Sequence, residues 1–368
     1  MLEVILLTVM ALLTAHYVHF ITRVRVGLLN LRPSPRSEDE PAVSVVVAAR
    51  NEERRIARCL DALSRLDYPA DRLEVVVVDD GSSDGTAASA RAYERREPLV
   101  RVLSSDAHGT NKPQGKAAAL TVGIAGARGE IILTTDADCV VAPSWARVMV
   151  SFFAPSVSMV AGPVLENAGG SFFGKMESLE FLGLVTTGAG LIGAGRPIIC
   201  NGANLGYRRA AFEAVGGFGG ANDDEALMNR IVHRNIGRIV FAADRGAVVE
   251  TESDNSAWKF FWQRVRWAAK RGHYEDRSIV VTLVLLYLFF LSVLLSVAAI
   301  PTEPLLAIPV LVVYGGKLTT DWATLRAGAA LFGSEVPALP FIVAELLHVP
   351  YIVVAAALGQ FVPLQWKK

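Results

Sequence analysis

The sequence predicts an α/β protein with a doubly wound, mostly parallel sheet, flanked at both ends of the chain by apolar stretches long enough to span a membrane. Three observations predict it. Between Val43 and about Glu250, strand-like and helix-like stretches alternate, as βα repeats do. The strand-like run at 43–49 is a continuous apolar stretch, as a strand buried on both faces should be, and 73–78 and 131–135 read as further strands of the same kind. Hydrophobic residues make up 52% of the 368, with mean hydropathy +0.37, and the excess is concentrated at the two termini.

In chain order, residues 2–21 are almost wholly apolar with no charge after Glu3, and about 20 such residues span a bilayer. A cleaved signal peptide is the alternative, but there is no basic leading region and no small-x-small site before Arg23. Arg23, Arg25, Arg32 and Arg36 follow, and the positive-inside rule puts the next domain in the cytoplasm. The resulting organisation is a transmembrane helix over 1–22, a basic linker over 23–42, an α/β domain over 43–256, an interfacial helix over 257–277 and a C-terminal membrane region over 278–368. Within the α/β domain, Asn51 is placed to cap a helix in which Ile56, Leu60, Leu63 and Leu66 keep helical spacing. A turn is expected at 79–85, helices at 87–95 and 116–125, and a short strand at 100–103.

Residues 258–271 alternate aromatic with basic residues, the pattern of a helix lying at a membrane surface. Residues 279–300 are uncharged and long enough to span. A shorter apolar run at 304–316, a mixed segment at 317–333 and a last apolar stretch at 337–363 follow. Three C-terminal spans would leave Lys367 and Lys368 on the outside, against the positive-inside rule. Either one C-terminal stretch is re-entrant or interfacial, or the rule fails here; the last, with Glu345, His348 and Pro350, is the expected one, its ionisable residues marking a protein-facing or functional position.

Lysine plus arginine and aspartate plus glutamate both total 36, a balance that argues against nucleic acid or any other polyanionic partner. The three cysteines, Cys59, Cys139 and Cys200, form no Cys-x-x-Cys and no disulfide framework, so a reducing compartment is the default.

The chemistry centres on Ile131-Ile132-Leu133-Thr134-Thr135-Asp136-Ala137-Asp138. If the strand continues through its end, Asp136 and Asp138 point to one face and converge. Paired carboxylates repel unless a cation sits between them, and hard oxygen ligands suit Mg2+ or Mn2+. Alone, the pattern also reads as a solvated acidic turn. Asp79 and Asp80 lie at another strand end, where a carboxylate accepts from a base N–H or a ribose hydroxyl, or simply closes a capped turn. Gly115-Lys116 opens a helix, where anions are favoured, although the P-loop spacing is absent and a surface lysine is the plain alternative. Asp223 and Asp224 also open a helix, either as ordinary N-terminal acids or with one of them as a general base. Gln263-Arg264-Val265-Arg266-Trp267 precedes the first C-terminal span. It reads either as a membrane anchor or as a diphosphate-holding Arg beside a stacking Trp.

Taken together, these pieces resemble a membrane-bound family 2 glycosyltransferase of GT-A fold. The matching residues are Ser44 through Glu53, Asp79 through Thr86, Gly115-Lys116-Ala117 and Asp136-Ala137-Asp138. They continue with Gly202-Ala203-Asn204-Leu205 and Gly216-Gly217-Phe218, Asp223-Asp224 with Leu227 and Arg230, and Gln263-x-x-Arg266-Trp267. The resemblance covers about residues 43–271 and keeps the family's order.

It implies that Arg50, Glu52, Asp79 and Asp80 line the nucleotide pocket, with Lys116 nearby. Asp136 would contact ribose or sugar and share the metal with Asp138. Asp224 would be the catalytic base, with Asp223 departing from the family's Glu-Asp pair and leaving the choice open. Gln263, Arg266 and Trp267 would close over the diphosphate and acceptor end, bordered by Gly202, Ala203 and Asn204. The implied reaction is inverting transfer from a nucleotide sugar of UDP type at the cytoplasmic face of a membrane. Three short, polar-interrupted C-terminal stretches are small for a polymer-exporting pore, which favours a lipid acceptor over a processive polysaccharide synthase. A nucleotidyltransferase would need neither Gln-x-x-Arg-Trp nor spans, and a non-catalytic scaffold would be expected to have lost a carboxylate at Asp80, Asp138 or Asp224.

Overall fold

A computed structural model describes residues 2–31, 39–105, 115–218, 224–269 and 276–361. Arg32, Arg36, the Lys112-Pro113-Gln114 stretch, Asp223, Lys270, Arg271, Lys367 and Lys368 lie outside the described residues. Helix α1 (Leu2–Asn30) leads into β1 (Val43–Ala49), α2 (Ile56–Leu63), β2 (Leu73–Asp79), α3 (Thr86–Arg96), β3 (Val100–Ser104), α4 (Lys116–Gly126) and β4 (Ile131–Asp136). Then come β5 (Val140–Val141), α5 (Trp145–Ser151), β6 (Val157–Ala161), β7 (Val164–Asn167), α6 (Phe172–Gly193), β8 (Leu205–Arg208) and α7 (Arg209–Ala214). The chain continues through α8 (Asp224–His233), β9 (Arg238–Phe241), β10 (Val249–Glu252), α9 (Ala257–Ala268), α10 (Arg277–Ala299), α11 (Ala307–Phe332) and α12 (Ala338–Gly359).

The main sheet has the order β3-β2-β1-β4-β8-β6-β9 and a small sheet the order β5-β10-β7. In the main sheet β1 to β4 are mutually parallel, and β8 runs antiparallel to both its neighbours, β4 and β6. The valines of β1 and β2 are buried because helices cover both faces, which is why these strands read as unbroken apolar runs. Strand order reverses at β1, with β2 and β3 on one side and β4 on the other, so the crevice for ligands opens past the carboxyl ends of β1 and β4. Register brings the chemistry level there, since Ala49 pairs with Asp79 and Ala48 with Asp136.

Among the described residues, three helices are long and apolar enough to cross a membrane: Val4–Asn30, α10 and α12. The boundary expected at residue 22 is not structural. Helix α1 continues through Arg23 and Arg25 to Asn30 because Val24 and Leu28 are buried against the domain. The apolar run at 304–316 and the mixed segment after it form one helix, α11, and it is this helix, rather than the last, that falls outside the apolar set. Its Lys317 and Asp321 are paired inside the bundle. Lys317 Nζ lies 2.8 Å from Asp321 Oδ2 and also pairs with Glu345 of α12, while the Tyr17 hydroxyl of α1 donates to Asp321 at 2.5 Å. Glu345 thus faces protein, as expected of an ionisable residue in such a helix.

Helix α6, uncharged from Phe181 to Gly193 and without helical period, packs against α1 through glycines. A Cβ at Gly190 would overlap the Val24 carbonyl, and one at Gly27 the Gly190 carbonyl. Gly190→Val is expected to cost about 1–3 kcal/mol by overpacking. Thermal unfolding in detergent checks it beside Gly316→Ala, which has open space around it. Equal melting temperatures for the two variants would refute the close crossing.

Glu166 of β7 is the second place where burial has a measurable consequence. Burial, then the Glu177 carboxylate, pushes its carboxyl up to about 8, with Arg264 pulling the other way. A carboxyl raised in the folded state contributes stability below its ordinary value of 4.5 that is lost as pH rises through about 8. Glu166→Gln is expected to melt at a higher temperature than wild type at pH 9, with the difference shrinking toward pH 5. A constant difference across that range would refute it.

Candidate active site

The loops after β1 and β2 brace each other. Asn51 adopts a left-handed conformation (φ 55°), and its amide oxygen accepts from the Ser83 backbone N–H at 2.9 Å while its own N–H donates to Ser82 Oγ. It does not cap α2, whose N-cap is Arg55. Its side chain is spent on the neighbouring loop instead. The Glu52 N–H donates to Thr86 Oγ1 at 2.7 Å, and Asp84 accepts from both the backbone and hydroxyl of Thr86. That hydroxyl holds the Asp84 carboxyl below its usual range.

This bracing fixes the residues at the carboxyl ends of β1 and β2. Asp80 is buried, accepts from Ser105 Oγ at 2.7 Å and lies 3.4 Å from Arg50 Nη1. Asp79 Oδ1 is buried at the end of β2 with no hydrogen-bond partner among the described residues, and Thr135 Oγ1 in β4 is in the same condition. An unmet buried acceptor costs about 1–3 kcal/mol, so such an atom at the mouth of a crevice marks a place for a ligand's donor.

Strand β4 stops at Asp136, and Ala137 and Asp138 form a turn, so the two carboxylates do not converge by strand alternation. Both act on the buried thiols of Cys59 and Cys139, which burial raises first and the two carboxylates raise further. Asp138 Oδ2 lies 3.9 Å from Arg55 Nη1, and Arg55 also reaches Glu52 Oε2 at 3.5 Å.

Lys116 ties the centre together. Gly115 (φ 119°) turns the chain so that Lys116 opens α4, and its Nζ lies 2.5 Å from Asp136 Oδ1. Burial works against its charge, but Asp136 and then Asp224 outweigh that and raise its pKa. Asp224, the first residue of α8, fits against Gly202, where any Cβ would overlap its carboxylate. The Gly202 carbonyl in turn accepts from Thr134 Oγ1 at 3.2 Å. Asp136 and Asp224 thus both act on one amine.

The family model described as Glycosyl transferase family 2 matches residues 44–216. That described as Glycosyl transferase family group 2 matches residues 131–325, more than half of the chain. The chain is a family 2 glycosyltransferase. Among curated relatives, this glycosyltransferase is 29% identical over 248 residues to the probable glycosyltransferase YdaM of Bacillus subtilis, covering 62% of this chain and 54% of the relative. It is 30% identical over 249 residues to a beta-monoglucosyldiacylglycerol synthase of Synechocystis, covering 64% and 48%. The chain thus spans about half the length of these curated relatives. Its fold resembles that of the mannosyltransferase PcManGT of Pyrobaculum calidifontis, solved with GDP-Man and Mn2+. The TM-score is 0.57 at 23% identity, over 97% of this chain and 99% of that one. These likenesses agree with the expected GT-A architecture.

Arg50, Glu52, Asp79, Asp80, Lys116, Asp136, Asp138 and Asp224 of the glycosyltransferase all lie at or beside the crevice, on loops leaving β1, β2 and β4 and on the first residues of α4 and α8. Asn204 belongs elsewhere. It is fully buried, its amide nitrogen donating to the Pro163 and Ala247 carbonyls at 2.7 Å and its oxygen accepting from Trp145 Nε1 at 3.0 Å. It holds the Gly202-Ala203 turn in place rather than bordering an acceptor, and Ala203 is buried with it. On α9, Gln263 accepts from Arg264, Arg266 is exposed, and Trp267 is half-buried against Phe181 of α6. Arg55 is the site residue that sequence reasoning missed. Its i+3 spacing from Glu52 at a helix start was the available signal.

Proposed function

We propose that this glycosyltransferase moves a sugar from a nucleotide-sugar donor of UDP type to a hydroxyl of a membrane lipid, inverting the anomeric centre, at the cytoplasmic face of the membrane. The observation that carries the reading is the gathering of Asp136 and Asp224 around Lys116 at the β1/β4 crevice. A donor end and a base end share one pocket. The unmet Asp79 oxygen supports a nucleoside there, since a base N–H or ribose hydroxyl would satisfy it. Three apolar helices, an exposed Trp258 on α9 and a relative named for a glucosyl lipid support the lipid acceptor. Arg23 and Arg25 at the domain end of α1 support the cytoplasmic orientation.

Among the described residues, no group of three or more His, Cys, Asp or Glu is arranged to hold a metal alone. Asp136 and Asp138 nevertheless fit Mg2+ or Mn2+, which is bound by one or two carboxylates and completed by substrate phosphates. When bound, the cation would offset charge on the departing diphosphate. Asp224 takes the acceptor hydroxyl's proton as its oxygen bonds to the anomeric carbon from the face opposite the diphosphate. The carbon–diphosphate bond breaks, the bonding pair leaves with the nucleoside diphosphate, and an α-linked donor gives a β-linked product. Lys116 pairs with Asp136, and the Asp224 charge acts on the same amine.

The test uses purified protein with lipid extract from its host, Mg2+ or Mn2+, and a panel of radiolabelled nucleotide sugars. Label from a UDP sugar in a single organic-phase band, abolished by chelation, is the expected result. Label in an ethanol-insoluble polymer would replace this reading with a processive synthase, and label only from another nucleotide class would overturn the UDP assignment.

A further inference from the structure

Arg264, one residue into the Gln-x-x-Arg-Trp stretch, is the buried arginine of that helix, not Arg266. It is 4% exposed. Its Nε donates to Glu180 Oε1 of α6 at 2.9 Å, and a second guanidinium nitrogen bonds Glu180 Oε2, making a two-pronged pair. The Tyr351 hydroxyl of α12 donates to the same Oε1 at 2.8 Å. The guanidinium carbon lies 4.4 Å from the Phe260 ring centre and 4.2 Å from that of Trp267. Three helices therefore meet at one cation, and that cation lies against the tryptophan of the motif.

Stability alone does not account for such a group. A buried ion pair loses several kcal/mol per ion in desolvation, and apolar residues of similar volume commonly serve as well. What a planar fork supplies is direction, because two N–H bonds and a ring contact fix the plane of the guanidinium and of whatever stacks on it. Phe260 precedes Arg264 by four residues and Trp267 follows by three, so both rings share its face of the helix.

We infer that Arg264, held by Glu180 and Tyr351, is a positioning residue that sets the Trp267 ring at the acceptor end of the site. This deepens the proposed function and rests on the sequence-based expectation that Trp267 is an acceptor-side group. Lysine in place of Arg264 keeps the charge and loses both the fork and the plane. The acceptor oxygen would then meet the anomeric carbon out of line, while the donor site around Asp79, Asp80 and Asp136 is untouched.

The experiment compares wild type, Arg264→Lys and Trp267→Ala as full chains in lipid. It follows sugar transfer to the lipid extract, donor hydrolysis without acceptor, and melting temperature. Arg264→Lys is expected to lower kcat for transfer by about 10–100-fold, with donor KM and hydrolysis unchanged. Transfer at the wild-type rate would overturn the inference. So would an equal loss of transfer and hydrolysis, the mark of a purely structural role. Should Arg264→Lys fail to accumulate as folded protein, Glu180→Gln is read by the same criteria. Full transfer by Trp267→Ala would remove the acceptor-side reading of Trp267 and this inference with it. Loss of transfer in Trp267→Ala alone, with Arg264→Lys normal, would overturn only the inference.

Discussion

Asp224→Asn is expected to lower kcat for sugar transfer by about 10²–10⁴-fold, the range of a lost general base, while donor binding is retained. The replacement is isosteric, so the niche against Gly202 stays filled and α8 keeps a polar first residue. What disappears is the charge that can take a proton, together with part of the field that raises Lys116. Steady-state kinetics with a binding isotherm for the nucleoside diphosphate separate the two effects. The adjacent Asp223→Asn provides the comparison. A normal rate for Asp224→Asn beside a collapsed rate for Asp223→Asn would move the base by one residue.

Gly202→Ala is expected to cost about 10²-fold in kcat, the usual penalty for moving a catalytic group by about 1 Å. The atoms that must yield are those of the Asp224 side chain itself. The new methyl meets the Asp224 carboxylate directly, and the Gly202 carbonyl is held by Thr134 Oγ1. The carboxylate must therefore swing away while the sheet and the donor pocket remain as they are. The expected signature is a fall in kcat with unchanged donor affinity and a nearly unchanged melting temperature. Wild-type turnover in this variant would show that Asp224 does not need its present position.

The parallel half of the fold is legible because its strands are buried on both faces. Val43 to Val47 and Val75 to Val78 leave little choice but a central sheet. The crevice residues are legible for a related reason, since carboxylates at the ends of apolar runs have nowhere else to go than the sheet's open edge. Other parts are hidden by tertiary context. The glycines of α6 matter only against α1, and no local pattern announces that contact. Helix α11 looks interrupted at Gly315-Gly316-Lys317, yet it continues because Lys317 finds carboxylates on both sides. Arg264 and Arg266 are indistinguishable as letters, and only Glu180, far away in sequence, selects the first for burial. Asn204 carries the same chemical groups as an acceptor-binding amide, but three buried partners claim them.

The hydrogen bond between Tyr17 and Asp321 joins residues 304 apart in the chain. Helix α1 is the first of these elements to be synthesised, and its polar partner is among the last. Until α11 emerges, the Tyr17 hydroxyl waits for Asp321, and until α12 follows, Lys317 lacks its second carboxylate. Closing so long a loop adds little entropy beyond a shorter one, because the cost grows only with the logarithm of length. The delay is one of order rather than of energy, since contacts of such sequence separation form late. Closure of this seam therefore waits for both α11 and α12. A nascent chain arrested after the sugar-transfer domain would hold every crevice carboxylate and still lack the seam that closes its bundle.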